Sequence, residues 1–248
     1  MITSNSKLNW NKFEGNKIPS SLELNPVIFK YLKFDSKILD VGCGFGKTIS
    51  DFYNKGYKNI SGVDVNESGI KFAKSKFKKL GVDIDVRVND ASHLDYNNET
   101  FDAIITQAFW TTIVGKEKRE EILKEFGRVL KKGGMIYIAD FGRTWNLNIY
   151  RKRYTNGRKR RLEIGTFEAF NKQTGEFMYF AHHYTRREFR QLLEKCGFEK
   201  PFYYEHTKFT TQSGNKINGH VILSTKIIIS QLKQVERSRN KFGMTQRL

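Results

Sequence analysis

A chain of 248 residues with 38% hydrophobic side chains and a formal net charge of +18 can form the core of one large domain without a second catalytic domain. Its longest apolar run, near residues 227–229, is too short to cross a bilayer, so we expect no membrane segment and a cytoplasmic protein. The two cysteines, Cys43 and Cys196, lack metal-ligand spacing and do not form a disulfide framework, so we expect no bound metal.

The positive charge is concentrated in the second part of the chain. Residues 1–150 hold 23 Lys and Arg against 18 Asp and Glu, whereas residues 151–248 hold 21 against 8. The densest basic stretch, residues 151–161, has seven basic side chains and no acid. Such a field favours anionic partners, although a compositional bias toward solvated polar residues gives the same pattern.

The first clear element is an apolar strand at residues 37–41, which runs into glycines at alternate positions. The strand ends in an acid, Asp40, and the glycines that follow are Gly42, Gly44 and Gly46. Because glycine lacks Cβ, it tolerates positive φ and lets backbone amides approach a ligand closely. We therefore predict a ligand-binding turn between this strand and a helix at residues 47–54.

Apolar strands then alternate with amphipathic helices up to residue 141. We predict strands at residues 59–65, 82–88, 101–106 and 135–141, and helices at residues 67–80 and 116–130. A second acid, Asp64, lies at the end of the second strand. This alternation is typical of a parallel sheet that is covered by helices on both faces.

The pattern changes after residue 141. Residues 162–170 and 176–184 are two strand-like runs joined by an NKQTG turn, and they predict an inserted β-hairpin that caps the site. Thr185 and Glu188 form a capping box for a helix through Cys196. A closing antiparallel pair of strands is predicted at residues 198–209 and 218–229.

The acids at two successive strand ends and the alternating glycines together resemble the class I S-adenosylmethionine-dependent methyltransferases. The first motif of that family, D/E-x-G-x-G-x-G, is met by Asp40, Gly42, Gly44 and Gly46. The second acid is Asp64, and the resemblance spans residues 37–141. A nicotinamide-binding fingerprint, G-x-G-x-x-G, would have its third glycine at Lys47, so a dehydrogenase is the weaker interpretation.

The resemblance implies an α/β, Rossmann-like doubly wound fold with a mostly parallel seven-stranded sheet, an antiparallel C-terminal strand and the inserted β-hairpin cap. It implies S-adenosyl-L-methionine as cofactor and S-adenosyl-L-homocysteine as product. We divide the chain into an N-terminal helical cap segment (1–34, with a helix at 24–32), a methyltransferase domain (35–230, with 142–184 as inserted substrate cap) and a basic tail (231–248).

The resemblance also implies roles for residues at the strand ends. Asp64 would accept hydrogen bonds from the ribose hydroxyls, although an acid there can also cap the next helix. Asp90 would bind the adenine amino group, with the amide of Ala91 at a ring nitrogen, although a surface turn also accommodates such an acid. Gln107 lies at the carboxyl end of the fourth strand, where the family holds the methionine part of the cofactor.

Two histidines at the end of the hairpin are the candidates for a general base. The sulfonium methyl is already electrophilic, so methyl transfer mainly needs a nucleophile held in line. A hydroxyl or protonated amine acceptor also needs a base, and histidine is the usual choice. His182 and His183 point to opposite faces of a strand, so we expect only one to face the pocket, and two structural histidines are the alternative.

The hairpin and the helix after it favour a lid over a compact acceptor, so we expect an O or N nucleophile on a small molecule of anionic or aromatic character. An RNA acceptor, tRNA or rRNA, is the alternative, because residues 151–161 and the basic tail suit a phosphate backbone. A DNA amino-methyltransferase is disfavoured, since TQAFW stands where N/D-P-P-Y/F is expected. A protein or peptide acceptor and a non-catalytic methyltransferase-like scaffold subunit are the remaining possibilities, and the sequence does not predict the oligomeric state.

Overall fold

The computed structural model describes residues 10, 22–171, 174–211 and 214–228. The strands are β1 (Ile38–Val41), β2 (Ile60–Asp64), β3 (Asp85–Val88), β4 (Phe101–Gln107), β5 (Leu130–Phe141), β6 (Thr166–Phe170), β7 (Phe177–His182), β8 (Tyr203–Thr210) and β9 (Lys216–Thr225). The α-helices are α1 (Lys47–Asn54), α2 (Glu67–Lys79), α3 (Lys116–Val129), α4 (Asn148–Lys159) and α5 (Arg186–Lys195). Short 3-10 helices lie at Pro26–Lys30 and Trp110–Thr112.

Seven strands form the central sheet in the order β3-β2-β1-β4-β5-β9-β8. The first five strands of this order are parallel, while β9 is antiparallel to both β5 and β8. The carboxyl ends of β1, β2, β3 and β4 therefore lie along one edge of the sheet. The predicted fold class, a mostly parallel seven-stranded sheet with an antiparallel C-terminal strand, is confirmed.

Helices cover both faces of the sheet, because each helix carries one apolar side. On one face α1 and α2 contribute Ile49, Phe52, Ile70 and Phe77 to the core. On the other face α3 and α5 contribute Ile122, Phe126, Phe189 and Leu193. All four residues of β1 are buried, as expected for a central parallel strand that is covered on both sides.

Two elements near the N-terminal part are shorter than predicted. β3 begins at Asp85 rather than at residue 82, because the amide of Val82 donates to the carbonyl of Phe77 (3.0 Å) and closes the end of α2. The helix predicted at residues 24–32 is a five-residue 3-10 helix, Pro26–Lys30, with Asn25 as its cap. In both cases local hydrogen bonds take up residues that the apolar pattern assigns to the element, so the element is shorter than predicted.

The C-terminal part of the sheet also differs in its strand bounds. β5 begins at Leu130, five residues earlier than predicted, because Leu130 pairs with Phe101 before an irregularity shifts the register. β8 begins at Tyr203, and the earlier Phe198 forms only an isolated bridge with Lys226. The topology is unaffected by these shifts.

The region between β5 and α5 contains a helix that the sequence analysis does not predict. Most of the basic stretch lies in this helix, α4, whose Tyr150, Tyr154 and Gly157 share one buried side at i, i+4 and i+7 spacing. The predicted hairpin is present as a separate two-stranded sheet, β6 with β7, and is shorter than expected. α4 packs against β6.

Several sequence predictions lie outside the described residues. They concern most of the N-terminal segment before residue 22, part of the hairpin turn (172–173), the end of the last predicted strand and the basic tail. Within the described ranges, none of the helices combines the length and the apolar character that crossing a bilayer requires.

Candidate functional site

The turn after β1 is built from three glycines in the left-handed region. Gly42, Gly44 and Gly46 have φ values of 77°, 49° and 73°. L side chains rarely adopt these values, so glycine is required here. The amide of Gly42 donates to the carbonyl of Val63 in β2 (2.9 Å) and ties the turn to the neighbouring strand. A Cβ built on Gly44 meets no described atom within 4 Å, so this peptide faces open space.

Asp64 ends β2, and its carboxylate holds the glycine turn in place. Its Oδ2 accepts a hydrogen bond from the amide of Gly44, and its Oδ1 accepts one from Asn66, both at 2.8 Å. Burial raises the pKa of Asp64, although these amides oppose the shift. Asn66 caps α2 by accepting from the amide of Gly69 (3.0 Å), so Asp64 is not the helix cap. Since each carboxylate oxygen accepts more than one hydrogen bond, Asp64 retains capacity for a ligand hydroxyl.

Two buried acceptor atoms beside the turn lack a hydrogen-bond partner among the described residues. One is Oδ2 of Asp40, whose residue is 1% exposed. Burial, together with the carboxylate of Asp64, raises the pKa of Asp40 well above its usual range. The other is Oε1 of Gln107, whose Nε2 donates to Oγ1 of Thr48 (2.8 Å). Buried polar atoms are normally satisfied, so a ligand that carries donors or a positive charge fits this edge.

Asp90 and Ala91 follow β3, the strand beside β2. Oδ1 of Asp90 accepts hydrogen bonds from the amide and the hydroxyl of Ser92, at 3.0 and 2.8 Å. Ala91 is buried. The amide of Asn89 donates to the carbonyl of Asp64 (3.0 Å), which brings this turn next to the end of β2. The structure thus places the glycine turn, Asp64, Asp90 and Gln107 along a single sheet edge.

His183 lies in an aromatic part of the core. Its Nδ1 shares a hydrogen bond with the hydroxyl of Tyr154 (2.8 Å), and the ring lies between those of Phe141 and Phe167. Burial lowers the pKa of His183 to about 3. An imidazole that is hydrogen-bonded to a buried tyrosine and packed among aromatic rings fits a structural role, which is the alternative that we gave for the pair.

His182 points to the opposite face of the hairpin, toward two carboxylates. The ring is 0% exposed, and its Nδ1 shares a hydrogen bond with Oγ1 of Thr166 (2.7 Å). Its Nε2 lies 3.6 Å from Oε1 of Glu188, beyond a normal hydrogen bond, and has no other partner among the described residues. Burial lowers the pKa of His182, while the carboxylates of Glu188 and Glu163 oppose the shift.

The carboxylates around His182 are neutralised by arginines. Glu163 forms an ion pair with the buried Arg119 of α3, and Glu188 forms one with Arg143, which follows β5. Ligand atoms of Glu163, His182 and Glu188 lie within 4.8 Å of one another, a spacing that a metal ion can bridge. Because a guanidinium already balances each carboxylate, a divalent ion here would leave two unpaired cations, and we interpret the group as a charge network.

The same charge network borders an open cleft of about 520 Å³. Seven side chains line this cleft: Arg143, Glu163, Ile164, Thr185, Arg187, Glu188 and Gln191. The hairpin is anchored beside it, because the amide of Arg143 donates to Tyr184 (2.9 Å) and that of Tyr184 donates to Phe141 (3.1 Å). β7 also lies against the 3-10 helix that follows β4. The cleft therefore lies between the start of α5 and the segment that leads into β6.

Sequence reasoning missed one buried acid at this edge. Asp140 is 0% exposed near the end of β5, and it accepts hydrogen bonds from the amides of Phe141 (2.7 Å) and Thr111 (3.2 Å). Burial raises its pKa to about 7. Its position near a strand end, like that of Asp40 and Asp64, was the signal available in the sequence.

Comparison with known proteins gives a consistent result. A family model described as a methyltransferase domain matches residues 38–134. The chain is 37% identical in sequence to a SAM-dependent methyltransferase from Methanosarcina mazei, and its structure matches the crystal structure of that protein with a TM-score of 0.79. The alignment with it covers 84% of this chain and 100% of that chain.

Curated relatives match over a smaller region. Methyltransferase GfsG of Streptomyces halstedii is 31% identical over 108 residues, which are 42% of this chain and 37% of that protein. Phosphoethanolamine N-methyltransferase 1 of Arabidopsis thaliana is 31% identical over 115 residues, 46% of this chain and 22% of that protein. The chain spans less than half the length of these relatives.

Proposed function

Since the chain belongs to the class I S-adenosylmethionine-dependent methyltransferases, we propose that it transfers a methyl group by in-line displacement to an O or N nucleophile of a small molecule. The protein is a methyltransferase, and S-adenosylmethionine is its cofactor. The kind of molecule that accepts the methyl group is what we propose. The observation that carries the site assignment is the pair of unpartnered acceptors, on Asp40 and Gln107, beside the open glycine turn.

Each residue of the sheet edge has a role in this proposal. Asp64 would accept hydrogen bonds from the ribose hydroxyls, and Asp90 with the amide of Ala91 would hold the adenine. Asp40 and Gln107 would hold the methionine part, whose donors would satisfy their unpartnered oxygens. When bound, the cofactor supplies a methyl group on a positively charged sulfur, so the protein needs mainly to orient the acceptor and exclude water.

The cap supports a compact acceptor. The cleft between the start of α5 and the segment leading into β6 is about 520 Å³, which is within the usual range of small-molecule sites, ~300–1,000 Å³. Two of its lining residues, Arg143 and Arg187, are cationic, which favours an acceptor with an anionic group. Arg143 is already paired with Glu188, so the charge that remains for a ligand is mainly that of Arg187.

His182 is the general base of the proposed reaction. Its lowered pKa keeps the imidazole neutral near pH 7, and its Nε2 has no hydrogen-bond partner within the described part of the chain. The acceptor's proton moves to Nε2, and Glu188, 3.6 Å away, stabilises the imidazolium that forms. Both rings are buried, so the choice of His182 rests on its unpartnered Nε2 beside Glu188, whereas Nδ1 of His183 is hydrogen-bonded to Tyr154.

The acceptor class is tested with methyl-labelled S-adenosylmethionine. The protein is incubated separately with a metabolite extract and with total RNA, and Asp64→Ala serves as the inactive control. We expect label in low-molecular-weight products and none in RNA. Label that appears in RNA, and that disappears at raised salt, contradicts the proposed acceptor.

A further inference from the structure

We propose that the solvent-facing side of α4 binds the phosphodiester backbone of a nucleic acid. Five exposed cations form this surface, which we call the α4 basic surface: Arg151, Lys152, Arg158 and Lys159 of α4, and Arg161 just after it. The inference concerns binding only, so it is independent of which acceptor is methylated.

The other two cations of the basic stretch are already committed within the protein. Arg160 forms an ion pair with Glu168 of the hairpin. Arg153 lies over the rings of Tyr150 and Phe167, at 5.1 and 5.3 Å from their centroids. For the five residues of the α4 basic surface, no carboxylate within the described ranges lies at ion-pair distance. Their charge is therefore directed to solvent.

The inner side of α4 is fully used for packing. Tyr150 and Tyr154 are buried, and a Cβ at Gly157 would collide with the carbonyl oxygen of Thr166. No apolar side of the helix is left for insertion into lipid, and on its outer side only Ile149, at 42% exposure, is a large apolar residue. The surface is thus suited to charge contacts rather than to a membrane interface.

Arginine and an exposed aromatic ring favour nucleic acid among anionic partners. Guanidinium groups form bidentate hydrogen bonds with phosphate, which the ammonium of lysine does not. Trp145, just before α4, is 43% exposed and its ring lies 4.8 Å from that of Tyr154. An exposed indole beside cations is the arrangement on which unpaired bases stack.

The chain offers a matched control in α2. Lys71, Lys74 and Lys78 are exposed on that helix, which packs against β2 and β3 and whose cations are all lysine. A triple substitution to glutamate there changes the net charge by the same amount as Arg151→Glu, Lys152→Glu and Arg158→Glu in α4. Comparing the two variants separates a local surface from the effect of net charge.

The test measures binding of a fluorescent uridine RNA of about 16 nucleotides by anisotropy at several salt concentrations. We expect the α4 triple variant to bind at least tenfold more weakly, with a salt slope lower by about 2, since each phosphate contact on a single strand contributes ~0.7. The α2 triple variant should stay within about threefold of the wild type. Trp145→Ala should weaken binding about fivefold or more.

Two results would overturn the inference: no RNA binding by the wild type, whether or not it binds phosphatidylserine-containing vesicles, or equal losses in both triple variants. S-adenosylhomocysteine binding is measured for every variant, because retained binding shows that the fold is intact. If the α4 triple variant loses RNA binding but still transfers methyl groups normally, the loss is due to the α4 basic surface. If the wild type does not bind the cofactor, the proposed function is contradicted instead.

Discussion

Asp64 connects the glycine turn to the second strand by accepting a hydrogen bond from the amide of Gly44, and we propose that cofactor binding depends on its charge. We expect Asp64→Asn to weaken S-adenosylhomocysteine binding by about 10- to 100-fold, because a hydrogen bond to a charged group contributes ~1.5–3 kcal/mol. Titration calorimetry measures this affinity. Asp83→Asn, an exposed acid before β3, is the control and should bind as the wild type does. Equal affinities of the two variants would remove Asp64 from the site.

The two neighbouring histidines should respond differently to substitution. His182→Gln removes the proposed base and should lower the turnover number by about 10²- to 10⁴-fold without changing cofactor affinity. His183→Gln changes a core contact with Tyr154 and should lower stability while the folded enzyme keeps its turnover. Single-turnover kinetics and calorimetry distinguish these outcomes. Unchanged turnover in His182→Gln rules out the general base.

Burial of His183 also predicts a pH effect on stability. Its pKa is about 3 in the folded protein and ~6.5 in the unfolded chain, so below pH ~6.5 the unfolded state binds a proton that the folded state excludes. The stability that this group contributes is complete above pH ~6.5 and is lost as the pH falls toward 3. Asp140 acts in the opposite direction, because its raised pKa lets the folded protein bind a proton below about pH 7.

Comparing variants isolates the histidine from the other titrating groups. The unfolding free energy of the wild type exceeds that of His183→Gln at pH 7, and the difference should narrow by roughly 2 kcal/mol at pH 5. Urea unfolding at both pH values measures it. A difference that does not depend on pH would mean that His183 keeps a normal pKa.

For single residues, the sequence predicted where each one lies on a strand or turn better than which side chains it contacts. The motif placed Asp40, the glycines and Asp64 at strand ends, because strand and turn signals are local. It did not predict that Glu163 pairs with Arg119, 44 residues away, or that Glu188 pairs with Arg143. Those ion pairs depend on how the cap folds back onto α3 and α5, which no local pattern specifies.

Among the elements, α4 is fixed to the hairpin by a close approach at Gly157. Gly157→Ala should lower the unfolding free energy by about 1–3 kcal/mol, since the added methyl meets the carbonyl oxygen of Thr166. Gly127→Ala in α3 is the matched control, because a Cβ there meets no described atom within 4 Å. It should raise the unfolding free energy by about 0.5–1 kcal/mol through helix propensity.

Thermal and urea unfolding of the two alanine variants measure these opposite shifts. A stabilised Gly157→Ala would show that α4 is not tightly seated on β6. Helix α4 was not predicted from the sequence. The basic residues and the internal glycine of this segment obscure the apolar spacing of Tyr150 and Tyr154. Elements with a continuous apolar pattern, such as β1, β4 and α3, were predicted close to their observed bounds.

For the whole molecule, the order of strands and helices was predictable because alternating β and α elements allow few sheet topologies. The antiparallel position of β9 between β5 and β8 agrees with the expected closing pair. The packing of the cap on the sheet edge and the distribution of charge over its outer surface follow from tertiary contacts. The proposals for the acceptor and for the α4 basic surface both depend on these tertiary features.

Cofactor binding and methyl transfer both depend on one proposed site along the carboxyl edge of the sheet. Isothermal titration of the wild-type protein with S-adenosylhomocysteine tests that site most directly. We expect one saturable site per chain with an affinity in the micromolar range, on the order of −8 kcal/mol. An absence of binding by a folded protein, for both S-adenosylhomocysteine and S-adenosylmethionine, would contradict it.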